Sequence, residues 1–469
     1  MSFSLPNLDD IFGAKGLLAS HLDGYEPRLS QLEMARAVEN AISHGHHLTV
    51  EAGTGTGKTL AYLIPSLLAK KRVIISTATK NLQDQLIQND LTFIKNYLVP
   101  NLSVAYMKGR RNYLCLRRLK EGLDKGYLLS EDQNRLNQLV KWTRDSTNGE
   151  RSEIDWLTDD DLFWNQIDAR SDICTGQSCD DFSSCFITRM RQKAFEADLI
   201  IVNHALFFSN LAMESDEIGK ILPDYGVLIL DEAHRVEDIV SQHFGNHLSN
   251  RRFDDLTASL QKAFSKSQNP PPIINRVKQD SQRLFTALPG ENNRYSLNFF
   301  PSPDGVIDLR EELAPSYVRL RDTLRALYSE LQLTRPRPHE WEALVRRVEN
   351  LTEDLDTIFS EDNFENVYWY EMRQAGVFIH VTPINIAHLL QEQLFSKVDT
   401  VVLTSATLST GGNFGYFRNR LGIPSPVELI VENEFNYEKQ TILYLARNLP
   451  QPKSPHFLSR ALPVISELL

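Results

Sequence analysis

The chain has 469 residues, enough for about three domains at roughly 150 residues each, and its 42% apolar and 24% charged residues exclude global disorder. Its 22 glycines and 21 prolines exclude collagen-like and low-complexity classes. With 50 Lys and Arg against 61 Asp and Glu, the net charge of −11 excludes a histone-like polycation but leaves room for a local basic groove.

At the N-terminus, MSFSLPNLDDIFGA carries acids where a secretory signal would carry Lys or Arg. Further on, HHLTVEAGTGTGKTLAYLI reads as a strand (Leu48–Val50), a Gly/Thr loop and a helix. Val73–Ser76, Leu199–Val202, Val227–Leu230 and Val401–Leu403 are short apolar runs of buried-strand type, with helical patterns between them. This alternation predicts an α/β fold with a doubly wound parallel sheet. No run approaches the ~18 apolar residues of a membrane span, so no membrane partner is expected and the chain is placed in the cytoplasm. There the four cysteines are more naturally metal or cluster ligands than disulfides.

Two stretches break the rhythm. From about Leu102 to Ala197 the strands stop, and all four cysteines lie inside that gap. From about Asn246 to Gly376 the pattern turns helical and charged. Leu320, Leu324, Leu327 and Leu331 form one stripe, and Trp341, Leu344, Val348, Leu351, Leu355 and Ile358 a second, as two amphipathic helices would. SKSQNPPPIINR (Ser265–Arg276) reads as a linker at the entry to this region.

Ala52, Gly53, Thr54, Gly55, Thr56, Gly57, Lys58 and Thr59 fit the phosphate-loop pattern, with Ala in place of the usual first Gly. Small residues let backbone N–H groups turn inward around phosphates, and the following helix N-terminus adds its dipole. Lys58 would reach the β- and γ-phosphates of ATP and Thr59 would ligate Mg²⁺. YGVLIL runs into Asp231, Glu232, Ala233 and His234, an acid pair at a strand's C-terminal end, where open α/β sheets bind ligands. Asp231 would hold Mg²⁺, Glu232 would polarise the attacking water, and His234 would link the site to neighbouring loops.

Taken in order, AGTGTGKT, STATKNLQDQL (Ser76–Leu86), VNHALF (Val202–Phe207), DEAH and TSATLS (Thr404–Ser409) resemble the superfamily-two helicases. The specific resemblance is to the iron–sulfur DinG/XPD branch, nearest its bacterial DinG and YoaA members, and it covers essentially the whole chain. It implies a RecA-like lobe that hydrolyses ATP with Mg²⁺ and acts on single-stranded or forked DNA, moving 5′ to 3′ in repair or replication. Tyr25, Arg28 and Gln31 in YEPRLSQ then resemble the adenine-sensing motif. Thr77, Thr79 and Gln85 resemble the segment that grips the DNA backbone. Asn203 and His204 match the family's NH pair, and Ser405 and Thr407 the segment that couples hydrolysis to DNA.

Cys115, Cys174, Cys179 and Cys185 are separated by 58, 4 and 5 residues. Spacing alone leaves zinc and an iron–sulfur cluster equally open. The position of the four, between the phosphate loop and DEAH, is the layout of the family's 4Fe–4S domain. Around the first lies MKGRRNYLCLRRLK, which gathers Lys108, Arg110, Arg111, Arg117, Arg118 and Lys120 about Tyr113, as a single-strand channel would.

The division that follows is 1–101, 198–245 and 377–437 for the RecA-like lobe, 102–197 for the cluster insert and 246–376 for a helical, arch-like insert. Residues 438–469 read as the start of a second lobe. Only 61 residues follow Leu408, and no arginine-finger motif is found among them, so a truncated motor is expected. Two other readings stay open: a regulatory or structural protein that binds ATP and DNA without unwinding, and a zinc-containing RNA helicase. No protein partner is indicated.

Overall fold

The computed structural model describes residues 6–22, 24–78, 90–125, 133–158, 161, 163–171, 173–213, 221–264, 270–302, 305–335, 341–359, 363–374, 376–432 and 437–468. In chain order the strands begin β1 (Leu48–Ala52), β2 (Val73–Thr77), β3 (Val104–Met107), β4 (Leu199–Asn203) and β5 (Val227–Asp231). Then come β6 (Asn246–Ser249), β7 (Arg294–Ser296), β8 (Phe300–Ser302), β9 (Gly305–Ile307), β10 (Asn366–Arg373) and β11 (Gly376–Pro383). Last are β12 (Thr400–Ser405) and β13 (Val427–Val431).

Seven of these make one parallel sheet in the order β13-β1-β12-β5-β2-β4-β3. Its inner strands are almost wholly buried because helices cover both faces, and their middles are mostly apolar. Alternate residues go to opposite faces. Val73, Ile75, Ile201 and Ile229 pack with the Leu29–His44 and Lys58–Leu68 helices. Ile74, Ile200, Leu228 and Leu230 pack on the other side, in a core that continues into the cysteine-bearing insert through Tyr113, Leu114, Trp164 and Phe186. The insert is therefore fused to one face of the sheet by a common apolar core.

Two expectations need correction. The strands do not stop at Leu102, because β3 pairs with β4 as the far edge of the main sheet. Its burial alternates, half-buried Val104 and Tyr106 with buried Ala105 and Met107, so it lacks the continuous apolar run of an inner strand. The region from Asn246 is not purely helical either. β6-β11-β10-β7 form an antiparallel sheet, and β11 carries that unit past Gly376 to Pro383. Both predicted stripes are buried, on helices Leu309–Leu333 and Trp341–Phe359, against the inner face of this second sheet.

Of the predicted linker, residues 265–269 lie outside the described residues, and Pro272 already begins a helix to Thr286. Near the C-terminus, helix Phe457–Leu468 is present, while the apolar run at Ile442–Leu445 is exposed and unpaired with any described strand. Among the described residues no helix is long and apolar enough to cross a membrane.

Candidate active site

β1, β12, β5 and β2 are neighbours in the sheet, and their parallel register raises their C-terminal residues to one edge. Glu51 pairs with Ser405, and Thr404 with Asp231. The phosphate loop leaves β1 here. Gly55 and Gly57 both have positive φ, at 85° and 77°, which glycine adopts without strain. A Cβ on Gly57 would also stand 2.2 Å from Gln31 Nε2. Lys58 opens the next helix, and its Nζ donates to the Ala52 carbonyl at 3.2 Å. Thr56 is buried and its hydroxyl donates to the Gly53 carbonyl, while Thr54 is exposed and Thr59 half-buried.

The three upstream residues are wired to this loop. Gln31 Nε2 donates to the Gly57 carbonyl at 3.0 Å, Tyr25 donates to Gln31 Oε1 at 2.9 Å, and the Arg28 guanidinium donates to the Gly55 carbonyl. Gln31 is buried, so a change at this motif is transmitted directly to the phosphate loop.

Asp231 ends β5 almost fully buried. Its Oδ1 accepts the Glu232 N–H at 3.0 Å, and its Oδ2 accepts the Tyr62 hydroxyl at 3.2 Å. Burial, reinforced by the Glu232 charge and opposed by Lys58, pushes Asp231 up to about 6. A buried carboxylate short of cationic compensation is a natural seat for a divalent ion. Glu232 takes a left-handed backbone, φ 54° and ψ 46°, which is uncommon outside glycine and turns the chain sharply off the strand.

His234 Nδ1 lies 2.7 Å from Ser405 Oγ, and Ser405 donates to Glu232 Oε2 at 3.2 Å. An ionised Glu232 only accepts, so the Ser405 oxygen takes its own hydrogen bond from His234 Nδ1–H. Arg235, which donates to His234 Nε2 at 3.3 Å, fits the same tautomer. Thr407 is exposed just beyond this triangle.

Three side chains here, Glu51, Tyr62 and Ser76, were not singled out in the sequence, and a fourth, His204, only through the NH pair. Glu51 accepts the backbone N–H groups of Leu408 and Ser409, each at 2.6 Å, and so ties the loop after β12 to the strand that feeds the phosphate loop. Tyr62 is fully buried, with its hydroxyl on Asp231. Ser76 and His204 are fully buried and 2.6 Å apart, and His204 Nε2 lies 2.8 Å from the Asp231 carbonyl. Burial holds His204 down to about 4, so the ring is neutral, with Nε2–H donating to that carbonyl. Asn203 caps the helix that begins at His204, accepting from the Leu206 N–H at 2.8 Å.

The predicted DNA contacts need revision. Thr77 is fully buried in β2, so its hydroxyl is not offered to a surface ligand. Thr79 and Gln85 lie outside the described residues. Lys108 is buried and paired with Glu150 at 2.9 Å, and Tyr113 is a core residue whose hydroxyl accepts the Lys108 N–H. Segment 107–113 turns inward because its aromatic ring completes the insert's core. Arg110 lines a cavity instead, and Arg111 alone of the four is exposed.

That cavity, of about 270 Å³, is lined by all four cysteines together with Arg110, Arg117, Arg118, Arg170 and Arg191. Each of Cys179 and Cys185 closes a short 3₁₀ turn, and Cys185 also leads into helix Phe186–Glu196. Burial would raise the Cys174 thiol, but the Gly176 N–H and Arg110 outweigh it and pull it down, whereas burial pushes Cys115 up. Arg191 Nε is a buried N–H with no hydrogen-bond partner on this wall. Among the described residues, no three His, Cys, Asp or Glu side chains close on a single ion.

Arg117, Arg118 and Arg170 also line a second cavity of about 350 Å³, between the cysteine insert and the helical unit. Lys262 and Arg347 face them across it. Asp168, fully buried, binds both Arg118 and Arg170 and so fixes two of these cations in place.

The raised Asp231 gives a testable sign. Its folded value lies above the ordinary 3.8, so folding carries a penalty that is absent below about pH 4 and complete above about pH 6. Asp231→Asn keeps an acceptor for the Glu232 N–H and should stabilise the ligand-free protein at pH 8 by about 2–3 kcal/mol. Melts of both proteins should converge near pH 4; an equal gain at both pH values would show that charge is not the cause.

A DEAD/DEAH box helicase family model matches residues 33–145. The chain is 35% identical over 460 residues to the ATP-dependent DNA helicase YoaA of Escherichia coli, covering 96% of this chain and 70% of that one. Against the YoaA of Haemophilus influenzae it is 34% identical over 458 residues, with the same coverage. The ATP-dependent helicase DinG of Mycobacterium tuberculosis is 29% identical over 463 residues, covering 91% of this chain and 66% of its own. A solved XPD helicase superposes with a TM-score of 0.48 at 15% identity, covering 94% of this chain and 70% of its own. With its phosphate loop and DEAH edge in place and these curated relatives spanning nearly all of it, the chain belongs to the helicase family of YoaA and DinG.

Proposed function

We propose that this chain hydrolyses ATP to move along single-stranded or forked DNA, 5′ to 3′, in cytoplasmic repair or replication. Mg²⁺ would sit at the phosphate site and a 4Fe–4S cluster in the cysteine cavity. The observation that carries the reading is the assembly of Lys58, Thr59, Asp231 and Glu232 at one sheet edge, with Glu232 oriented by Ser405 and His234.

Lys58 exchanges its bond to the Ala52 carbonyl for phosphate oxygens, and the loop N–H groups close around the remainder. Thr59 and Asp231 would hold Mg²⁺, which would neutralise phosphate charge. With one carboxylate oxygen fixed by Ser405, Glu232 presents the other to the attacking water and takes up its proton. Gln31 and Arg28 carry adenine occupancy to the loop through Gly57 and Gly55.

Cluster binding is supported by four free cysteines on one cavity, an arginine ring suited to the anionic cluster, and the unpartnered Arg191 N–H. The cluster would cross-link the insert. Strand passage is supported by the cations facing one another across the second cavity.

DNA-stimulated ATP hydrolysis, measured with oligothymidylate, tests the reading; wild-type protein without stimulation would overturn it. Glu232→Gln should still bind Mg²⁺ and ATP but lose about 10²–10⁴-fold in turnover. Cys179→Ser should lose iron and visible absorbance in anaerobic preparations while nucleotide binding persists, and retained iron would remove Cys179 from the ligand set. Arg347→Glu should weaken binding to single-stranded DNA and flatten its salt dependence by about one ion, leaving nucleotide affinity unchanged.

A further inference from the structure

We propose that Tyr62 and His204 are positioning residues that clamp Asp231 from beneath, and that metal affinity at the phosphate site depends on this clamp. The inference rests on the nucleotide-site reading above and deepens it.

Tyr62 lies one turn into the helix that Lys58 opens, facing the sheet. Its hydroxyl donates to Asp231 Oδ2 at 3.2 Å, and the residue shares its helix with Thr59, one turn back. It is fully buried, so no water competes for that hydroxyl. The contact spans two elements, since Tyr62 belongs to the phosphate-loop helix and Asp231 to β5. The phenol thus ties Asp231 to the helix that carries Thr59, and so fixes how the two residues assigned to the cation stand relative to one another.

His204 acts on the same residue through the main chain. Its Nε2–H donates to the Asp231 carbonyl at 2.8 Å, while Nδ1 accepts from Ser76 at 2.6 Å. Ser76 ends the fully apolar stretch of β2, so the imidazole bridges the ends of two adjacent strands. One partner thus fixes the carboxylate of Asp231 and the other its backbone, immediately before the chain turns into the left-handed Glu232. Removing such outer partners of a ligand lowers metal affinity by about 10–100-fold where it has been measured.

Tyr62→Phe keeps the ring and its packing and deletes only the hydroxyl. Binding of a fluorescent, non-hydrolysable ATP analogue should be followed while Mg²⁺ is titrated. The Mg²⁺ concentration for half-maximal binding should rise about tenfold or more in Tyr62→Phe, with the metal-free affinity for the analogue unchanged. His204→Gln, which keeps a donor for the carbonyl, should shift it less than His204→Ala. In the Asp231→Asn background, Tyr62→Phe should add nothing, because the group it positions is gone. A role in general stability would instead persist in that background and lower the metal-free affinity as well. An unchanged Mg²⁺ requirement in Tyr62→Phe overturns the clamp alone. A wild-type protein whose analogue binding ignores Mg²⁺ overturns the phosphate-site reading, and the clamp with it.

Discussion

The parallel register of the four central strands is the constraint on which the rest of the molecule depends. Glu51, Ser405, Asp231 and Ser76 come from four separate segments, yet pairing of β1 with β12, β12 with β5 and β5 with β2 brings them to one edge. A slip of one residue in any pair would send its side chains to the opposite face of the sheet and put a polar group into the core. The apolar residues below, Val73–Ile75, Leu199–Val202 and Val227–Leu230, hold that register because each is matched to a particular covering helix layer. Chemistry at the edge is thus secured by hydrophobic packing one or two residues beneath it.

Above that packing the edge is unusually polar for its depth. Ser76, His204, Thr404, Ser405 and Asp231 are all buried, and most are joined in hydrogen-bonded chains that end on the acid pair. Thr404 Oγ1 has no hydrogen-bond partner in the structure. Such a network gains little net stability, but its members have few alternative arrangements, which is what a site needs if its acid is to stay aligned. The neutral ring of His204 suits this, since it donates at one nitrogen and accepts at the other.

The sheet was legible in the sequence wherever strands are buried on both faces, because four short apolar runs, with a fifth strand feeding the phosphate loop, have few other readings. β3 and β13 were not legible for the complementary reason: they are edge strands, partly exposed, and their alternation is short and weak. The antiparallel sheet of the helical unit was hidden because one face of β10 and β11 carries half-buried Trp369 and His380 with buried Glu371, which break the apolar alternation. The phosphate loop and the acid pair were legible as local patterns. Glu51, Tyr62 and Ser76 were not, since each acts through partners far away in the chain. Tyr113 misled because an aromatic among cations has the same local pattern whether it stacks a base or fills a core.

The left-handed backbone of Glu232 has a consequence for how this site can change over time. A residue other than glycine or asparagine is held there against a local cost of about 1–2 kcal/mol, which the surrounding structure has to offset. The substitutions most comfortable at that position are therefore the ones that abolish its chemistry. Drift toward a stabler protein and loss of hydrolysis lie in the same direction here. A descendant of this chain that had given up turnover would be expected to show glycine or asparagine at 232 early, before the rest of the edge decayed.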